Sequence, residues 1–103
     1  MNYKVFTSKE FDKQIDEISE EEARRIYSIF EQLKENPYVG NQLQIKSLKE
    51  KRLEDKRMYY LVFDDLKSIF IIAISNKKSQ QKMIDFIKKN INIYRNILKD
   101  RIN

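Results

Sequence analysis

The sequence contains neither cysteine nor histidine, and these two absences exclude several function classes. Without cysteine the chain can form no disulfide and no thiolate metal site. Without histidine it lacks the commonest general base and the commonest transition-metal ligand, which excludes triad hydrolases, HExxH proteases and zinc deaminases. Glycine and proline each occur once, so we expect no flexible linker and no glycine-rich phosphate loop.

Long hydrophobic segments are also missing. The longest apolar run, residues 69–74, is far too short to span a bilayer, and residues 1–4 do not lead into a signal-peptide hydrophobic segment. We therefore expect a cytoplasmic protein. A length of 103 residues fits one domain, residues 1–103, and 41% hydrophobic residues is ordinary for a compact domain, despite 36% charged residues.

The charge is distributed unevenly along the chain. Residues 1–40 contain six basic and nine acidic residues, a net charge of −3, whereas residues 41–103 contain fifteen basic and seven acidic residues, a net charge of +8. A basic half of this kind is typical of a surface that faces a polyanion such as nucleic acid. A lysine-rich solvated surface explains the composition equally well.

The first half of the chain predicts a strand and a helical hairpin. Residues 3–6 are a short strand candidate, and Thr7 and Glu10 have the spacing of a capping box. Ser19 and Glu22 repeat that spacing before a second helical stripe of apolar residues. The second helix should end before Pro37, because the residue before a proline resists the helical conformation.

The second half predicts three strands and a last helix. Residues 43–53, 57–63 and 69–74 have the composition of strands, with a tight turn after the second one. The helix should run from about residue 79 to near the C-terminus, with an interruption at Asn90. The order β-α-α-β-β-β-α predicts an α+β domain whose helices pack on one face of an antiparallel sheet, leaving the other face open to solvent or to a partner.

The order and two local segments resemble the RelE/ParE superfamily of small toxins. Residues 50–65, EKRLEDKRMYYLVFDD, are similar to the central segment of the family, in which a basic strand precedes a turn and an arginine opens the next strand. Residues 69–78, IFIIAISNKK, resemble the following strand and its basic exit. Residues 73–81, AISNKKSQQ, are especially like one branch. The resemblance covers residues 3–90, so residues 91–103 would be a C-terminal helix extension.

The resemblance implies a RelE/ParE-like fold, with a helical hairpin packed on a curved antiparallel sheet and a C-terminal helix. It also implies the toxin of a type II toxin–antitoxin system, silenced by a cognate antitoxin protein. RelE-type members are mRNA interferases that inhibit translation by cutting mRNA on the ribosome, and they need no metal and no cofactor. The expected partners are therefore an antitoxin and mRNA, and neither a membrane nor a metal.

The same resemblance suggests catalytic residues. Arg57 matches the arginine at the start of the central strand, whose role in the family is to stabilise the phosphate. Arg52 matches a basic residue on the preceding strand, and as an arginine it would supply charge. Glu50 shares a strand face with Arg52 and would be the base, held by that arginine. Lys77 and its neighbour Lys78 would protonate the leaving oxygen or hold its charge.

Further lysines around this segment are candidates for RNA binding outside the catalytic site. They are Lys46, Lys49, Lys51 and Lys56. A solvated charged strand face explains Glu50, Lys51 and Arg52 equally well, and for Arg57 the alternative is an exposed edge arginine paired with Asp55 or Asp64. RelE-type members often carry a tyrosine on the C-terminal helix, where this chain has Met83.

Two strand tyrosines could replace that missing side chain. Tyr59 and Tyr60 alternate faces, so one should be core and the other partly exposed, although core packing is the better expectation for both. Met83 also keeps two other functions open. The chain could be a ParE-like toxin that binds a protein such as DNA gyrase, or a catalytically inactive antitoxin-binding module.

Overall fold

The computed structural model describes residues 2–103 and combines a mixed five-stranded sheet with four α-helices. The strands are β1 Lys4–Thr7, β2 Asn41–Leu43, β3 Ile45–Leu53, β4 Lys56–Phe63 and β5 Ser68–Asn76. The helices are α1 Lys9–Ile15, α2 Glu20–Glu35, α3 Gln80–Lys89 and α4 Ile91–Ile102. The predicted α+β class and element order are confirmed, with residues 41–53 divided into two strands and residues 80–102 into two helices.

The strand order in the sheet is β1-β5-β4-β3-β2. β1 runs parallel to β5, and the other neighbours are antiparallel, so the sheet is mixed and not wholly antiparallel. The division between β2 and β3 lies at Gln44, whose φ of 52° places it in the left-handed region and turns the chain back on itself. The central pairing of β3, β4 and β5 positions the candidate site.

The helix boundaries follow from local side-chain caps. Ser8, and not the predicted Thr7, caps α1, because its hydroxyl accepts a hydrogen bond from the backbone N–H of Phe11 at 3.0 Å. The capping box of Ser19 and Glu22 is present at the start of α2. That helix ends at Glu35, as the following Asn-Pro pair predicts.

One face of the sheet packs against the helical hairpin. The buried side chains of this first core come from α1, α2 and the strands, and they are Phe11, Ile26, Ile29, Leu33, Leu53, Met58, Tyr60, Val62, Ile69, Ile71 and Ile74. The alternation of apolar residues along β4 and β5 supplies this face and the opposite one, as expected for strands that are buried on both sides.

The opposite face is covered by the C-terminal helices, so the expectation of an open sheet face is wrong. The second core contains residues of β3, β4, β5, α3 and α4, namely Leu48, Tyr59, Leu61, Phe63, Phe70, Ile72, Ala73, Ile84, Ile87 and Leu98. The interruption at Asn90 allows α3 and α4 to be separate helices that both contact this face. Residues 91–102 therefore pack on the domain.

Two arginines fix α4 to the sheet and its turns. Arg95 donates to Asp65 at 2.6 Å and lies over the ring of Phe63, and Arg101 lies over Phe70.

Among the helices of residues 2–103, none has the length and apolar character needed to cross a membrane.

Candidate active site

The register of the three central strands places three candidate catalytic residues, Glu50, Arg52 and Arg57, on the face covered by α3 and α4. Arg57 of β4 lies opposite Arg52 of β3 on one side and opposite Ser75 of β5 on the other. Glu50 lies opposite Tyr59. Since residues two apart on a strand share a face, Glu50 and Arg57 are diagonal neighbours on the same face.

Glu50 and Arg57 form a buried ion pair. The Arg57 Nη1 atom lies 3.7 Å from the Glu50 Oε2 atom, and their side chains are only 9% and 6% exposed, respectively. Glu50 also accepts a hydrogen bond from the Gln80 amide, at 2.8 Å from Nε2 to Oε1. The buried Nε of Arg57 has no hydrogen-bond partner among the described residues. The guanidinium is thus held by one long ion pair and keeps an unused donor.

The predicted hold of Arg52 on Glu50 is wrong, because the partner of Glu50 is Arg57. Arg52 is exposed and lies directly across the strand pair from Arg57. The alternative of Arg57 as an exposed edge residue paired with Asp55 or Asp64 is also wrong, since Arg57 is buried. The strand alternation predicted the shared face, but the pairing across strands decides which charges meet.

Lys77 and Lys78 lie beyond the end of β5, in a 3-10 turn that leads into α3. Both are exposed. The side chain of Asn76 stabilises this turn by accepting a hydrogen bond from the backbone N–H of Ser79 at 3.0 Å. Because Asn76 pairs with Lys56 at the start of β4, the turn places the two lysines at the same end of the sheet as Arg57.

The four lysines predicted to bind RNA differ in their surroundings. Lys46 is exposed and Lys51 is half-buried. Lys49 is buried, with its Nζ 4.9 Å from the centre of the Tyr38 ring, and burial followed by the charge of Lys46 lowers its pKa. Lys56 forms an ion pair with Glu22 at 3.2 Å. Lys46 is therefore the exposed member of this set, and Lys51 and Lys56 are both half-buried, with Lys56 held by Glu22.

Both strand tyrosines are completely buried, so the expectation that one is partly exposed is wrong and core packing is confirmed for both. The hydroxyl of Tyr59 lies 2.8 Å from the Ser75 Oγ atom. The hydroxyl of Tyr60 donates to the Pro37 carbonyl at 2.9 Å and accepts from the backbone N–H of Gly40 at 3.0 Å. Neither ring is available to stack on a nucleotide.

Met83 lines an apolar groove between β5, α3 and α4. The groove has a volume of about 720 Å³ and is bordered by Ile72, Phe86 and Tyr94. No aromatic side chain takes the place of the family tyrosine at this position, but Phe86 lies one turn further along α3. Its ring is 57% exposed.

Gln80 is the residue at this site that the sequence reasoning missed. It is the first residue of α3, and its amide donates to a carboxylate 30 positions earlier in the chain. A glutamine at the first turn of a helix gives no sequence signal for such a long-range contact.

Among residues 2–103, no group of three or more acidic side chains is arranged to hold a metal ion.

No protein-family model and no curated protein sequence matches the chain. Solved structures do. The archaeal RelE–RelB complex from Pyrococcus horikoshii superposes with a TM-score of 0.69 at 24% identity, covering 75% of this chain and 97% of the other. A mutant of the E. coli toxin RelE in the free state gives a TM-score of 0.73 at 14% identity, covering 86% and 98%.

The chain has the RelE toxin fold. The intact E. coli RelBE toxin–antitoxin complex adds a TM-score of 0.65 at 14% identity, covering 72% of this chain and 95% of the other. The fold implied by the resemblance of residues 3–90 to RelE-type toxins is thereby confirmed. Since one fold can carry several functions, what the RelE fold does here depends on the site residues.

Proposed function

We propose that this protein is the toxin of a type II toxin–antitoxin system and that it cleaves translated mRNA as a RelE-like interferase. The observation that carries the proposal is the buried pair of Glu50 and Arg57, with the free Arg57 Nε and the exposed Arg52 beside it. The RelE fold supports the toxin assignment, and toxin–antitoxin complexes are among the structures with that fold.

The proposed reaction uses the 2′-hydroxyl of the RNA as nucleophile, which then attacks the adjacent phosphorus and expels the 5′-oxygen of the next nucleotide. Arg57 and Arg52 would stabilise the charge that develops on the phosphate oxygens, a contribution of roughly 10²–10³ in rate for each well-placed donor. Arginine suits this role because it stays charged and binds two phosphate oxygens at once.

Proton transfer requires two further groups. Glu50 would accept the 2′-proton once Arg57 moves its charge toward the phosphate, because the carboxylate is then no longer shared. Lys77 or Lys78, at the same end of the sheet, would protonate the leaving oxygen or hold its charge. A positioned acid or base contributes about 10²–10⁴ in rate. This chemistry draws only on side chains of the protein and on the substrate.

An antitoxin is the proposed protein partner. Large apolar side chains remain exposed on the C-terminal helices, with Phe86 57% and Ile93 56% exposed, and the groove beside Met83 is apolar. Such a surface suits the apolar side of an added helix or strand. Co-purification with the product of an adjacent reading frame would support this partner, and a monomer that captures no such product would contradict it.

Met83 favours a second candidate, a module that binds antitoxin without cutting RNA. The tyrosine that borders the groove around Met83 is Tyr94 of α4, whose ring packs edge-on against Phe70, and Tyr59 and Tyr60 are buried. A ParE-like toxin that binds a protein such as DNA gyrase is the other alternative with this fold. New RNA ends would distinguish an interferase from both of these alternatives.

The deciding experiment expresses the chain from an inducible promoter and maps mRNA 5′ ends in the cells. We expect new ends inside translated regions, and their loss in an Arg52→Ala, Arg57→Ala variant. An Arg24→Ala, Lys99→Ala variant is the matched control, because both of these cations are exposed and lie outside the site. Growth arrest without new ends would indicate a ParE-like target, and neither effect would indicate a binding module.

A further inference from the structure

A small basic recess lies at the edge of the sheet, next to the candidate active site. It has a volume of about 180 Å³, and its lining includes Arg25 of α2, Gly40 and Asn41 at the start of β2, and Lys51 and Arg52 of β3. Three cations from two separate elements therefore border one concave space. Of these cations, Arg25 has no part in the proposed reaction.

The recess forms where β3 loses its outer neighbour. The pairing of β2 with β3 ends at Asn41 and Glu50, so Lys51 and Arg52 continue along an open strand edge. Backbone groups at such an edge are free to bind a ligand. The recess thus lies at an open strand edge, with Lys51 on the α2 face and Arg52 on the α3 face of β3.

Gly40 allows the wall of the recess to pack closely against the sheet. A Cβ atom at this position would lie 2.6 Å from the Glu50 carbonyl oxygen and 2.6 Å from the Tyr60 hydroxyl, so only glycine allows the loop to approach the sheet this closely. The Gly40 N–H donates to that hydroxyl at 3.0 Å. This contact fixes the loop before β2 against β4.

The cations of the recess are not neutralised by the protein. Within residues 2–103, the side chains of Arg25, Lys51 and Arg52 form no ion pair or hydrogen bond. Glu50 also borders the recess, but its carboxylate is bound by Arg57 and Gln80. Neighbouring cations without acidic partners repel one another, and an anion placed between them relieves that repulsion.

Arg25 also borders a second pocket that contains acidic residues. Its acidic residues are Glu21, Glu22, Glu54 and Asp55; Glu22 is paired with Lys56, and neither Glu54 nor Asp55 lies within ion-pair distance of Arg25. Glu21 precedes Arg25 by one helical turn but lies beyond ion-pair distance. Arg25 therefore remains available to the recess.

We propose that this recess binds a backbone phosphate of RNA, as a second phosphate position beside the candidate active site. Arg52 connects the two positions, because it borders the recess and lies directly across from Arg57. An RNA strand held in both would pass around the sheet edge from the α3 side to the α2 side. The inference rests on the proposed function for its ligand class, and it adds Arg25 to the binding residues.

The test measures binding of a fluorescent single-stranded RNA whose 2′-hydroxyls are methylated, so that it keeps its ribose sugars but cannot be cut. Fluorescence anisotropy at a series of salt concentrations gives the slope of log affinity against log salt. Arg25→Ala should reduce the magnitude of this slope by about 0.7, the value for one single-strand phosphate contact, for all sequences alike. Arg24→Ala is the control, since Arg24 is exposed next to it on α2 but does not border the recess.

Sedimentation with ribosomes provides a second measurement of the same variants. An effect of Arg25→Ala on free RNA assigns the phosphate to the substrate strand, and an effect on ribosomes alone assigns it to ribosomal RNA. Equal results for Arg24→Ala and Arg25→Ala in both assays would overturn the inference, as would a wild-type chain that binds neither RNA nor ribosomes.

The outcomes separate this inference from the proposed cleavage. If cleavage depends on Arg57 but Arg25→Ala leaves the slope of log affinity against log salt unchanged, the proposed cleavage is supported and the phosphate site in the recess is refuted. If Arg25→Ala changes this slope but the wild-type chain cuts no RNA, the phosphate site is supported and the proposed cleavage is refuted. Circular dichroism of each variant checks that the exposed substitutions leave the fold intact.

Discussion

Replacing Arg57 with methionine removes the charge of a buried ion pair while keeping a side chain of similar length. The carboxylate of Glu50 would remain buried, with only the Gln80 amide as partner. Removing one member of a buried pair costs about 3–5 kcal/mol, because the other charge is left in a poorly solvated place. We expect Arg57→Met to lower the free energy of unfolding by that amount at neutral pH.

The double variant Glu50→Gln, Arg57→Met should be more stable than Arg57→Met alone. The double variant buries no charge. It loses the attraction between the two charges, but it also avoids the cost of removing both of them from water, and the two effects offset each other. The N···O distance of 3.7 Å is longer than the roughly 2.7–2.9 Å of a strong charge-assisted hydrogen bond, which keeps the attraction small. Adding the second substitution should therefore recover most of the lost stability.

Urea denaturation followed by circular dichroism measures these differences, with a constant slope against urea as the check on two-state unfolding. Glu50→Gln completes the double-mutant cycle. If the loss in the double variant equals the sum of the two single losses, the charges are not coupled, and the buried pair is refuted as a unit. The Lys51→Gln variant provides a charge-removal control on the neighbouring, half-buried position.

The unfolding measurements on the Glu50 and Arg57 variants are also needed to interpret the loss of RNA cleavage. Loss of new RNA ends in a variant that lacks Arg57 has two causes, unfolding of the chain or loss of a phosphate ligand. Arg57→Lys separates them, because it keeps the positive charge near Glu50 but cannot bind two phosphate oxygens in one plane. We expect a folded Arg57→Lys protein with a strongly reduced cleavage rate.

Two pH-dependent effects follow from hydroxyl groups in the fold. Burial raises the pKa of Tyr60 to about 12, so its contribution to stability is complete below its ordinary pKa of 10.0 and is lost as the pH rises toward 12. Urea denaturation across that range should show the free energy of unfolding of the wild type falling by up to roughly 3 kcal/mol, and Tyr60→Phe should lack this fall. An equal fall in the two proteins would contradict the prediction. Hydrogen bonds from Tyr38 and Tyr3 lower the pKa of Asp64, so its contribution is complete above 3.8 and is lost as the pH falls through the lower folded value. Asp64→Asn should flatten the acid side of the stability curve, Asp100→Asn should not, and equal curves for both would refute the assignment.

The parts of the fold that the sequence predicted are those set by near neighbours in the chain. The cap formed by Ser19 and Glu22 and the helix end before Pro37 depend on residues within one turn. The strands β4 and β5 follow from dense β-branched and aromatic residues. The cap of α1 moved from Thr7 to Ser8 because β1 continues through Thr7, which two adjacent hydroxyl residues do not reveal.

The candidate site was predicted only in part because its contacts are long-range. Strand alternation placed Glu50 and Arg52 on one face, but it could not tell that Arg57 would be the partner of the carboxylate. Likewise, no local pattern indicates that Lys49 lies under Tyr38 from the preceding loop. The covering of the second sheet face by α3 and α4 depends on a break at Asn90 whose position was predicted but whose geometry was not.

The fold is compatible with a nuclease and with a protein-binding toxin, so the choice depends on whether Arg57 can serve a phosphate. A carboxylate that binds an arginine through both of its oxygens uses two of the five N–H donors of the guanidinium. Here the guanidinium makes one long ion pair, and its Nε is buried without a partner among the described residues. A buried donor left unsatisfied costs about 1–3 kcal/mol, which an anionic ligand would recover on binding. A phosphate beside Arg52 would relieve this defect once the Arg57 side chain turns its buried Nε toward the ligand, whereas a protein partner on the exposed apolar helices would leave it in place.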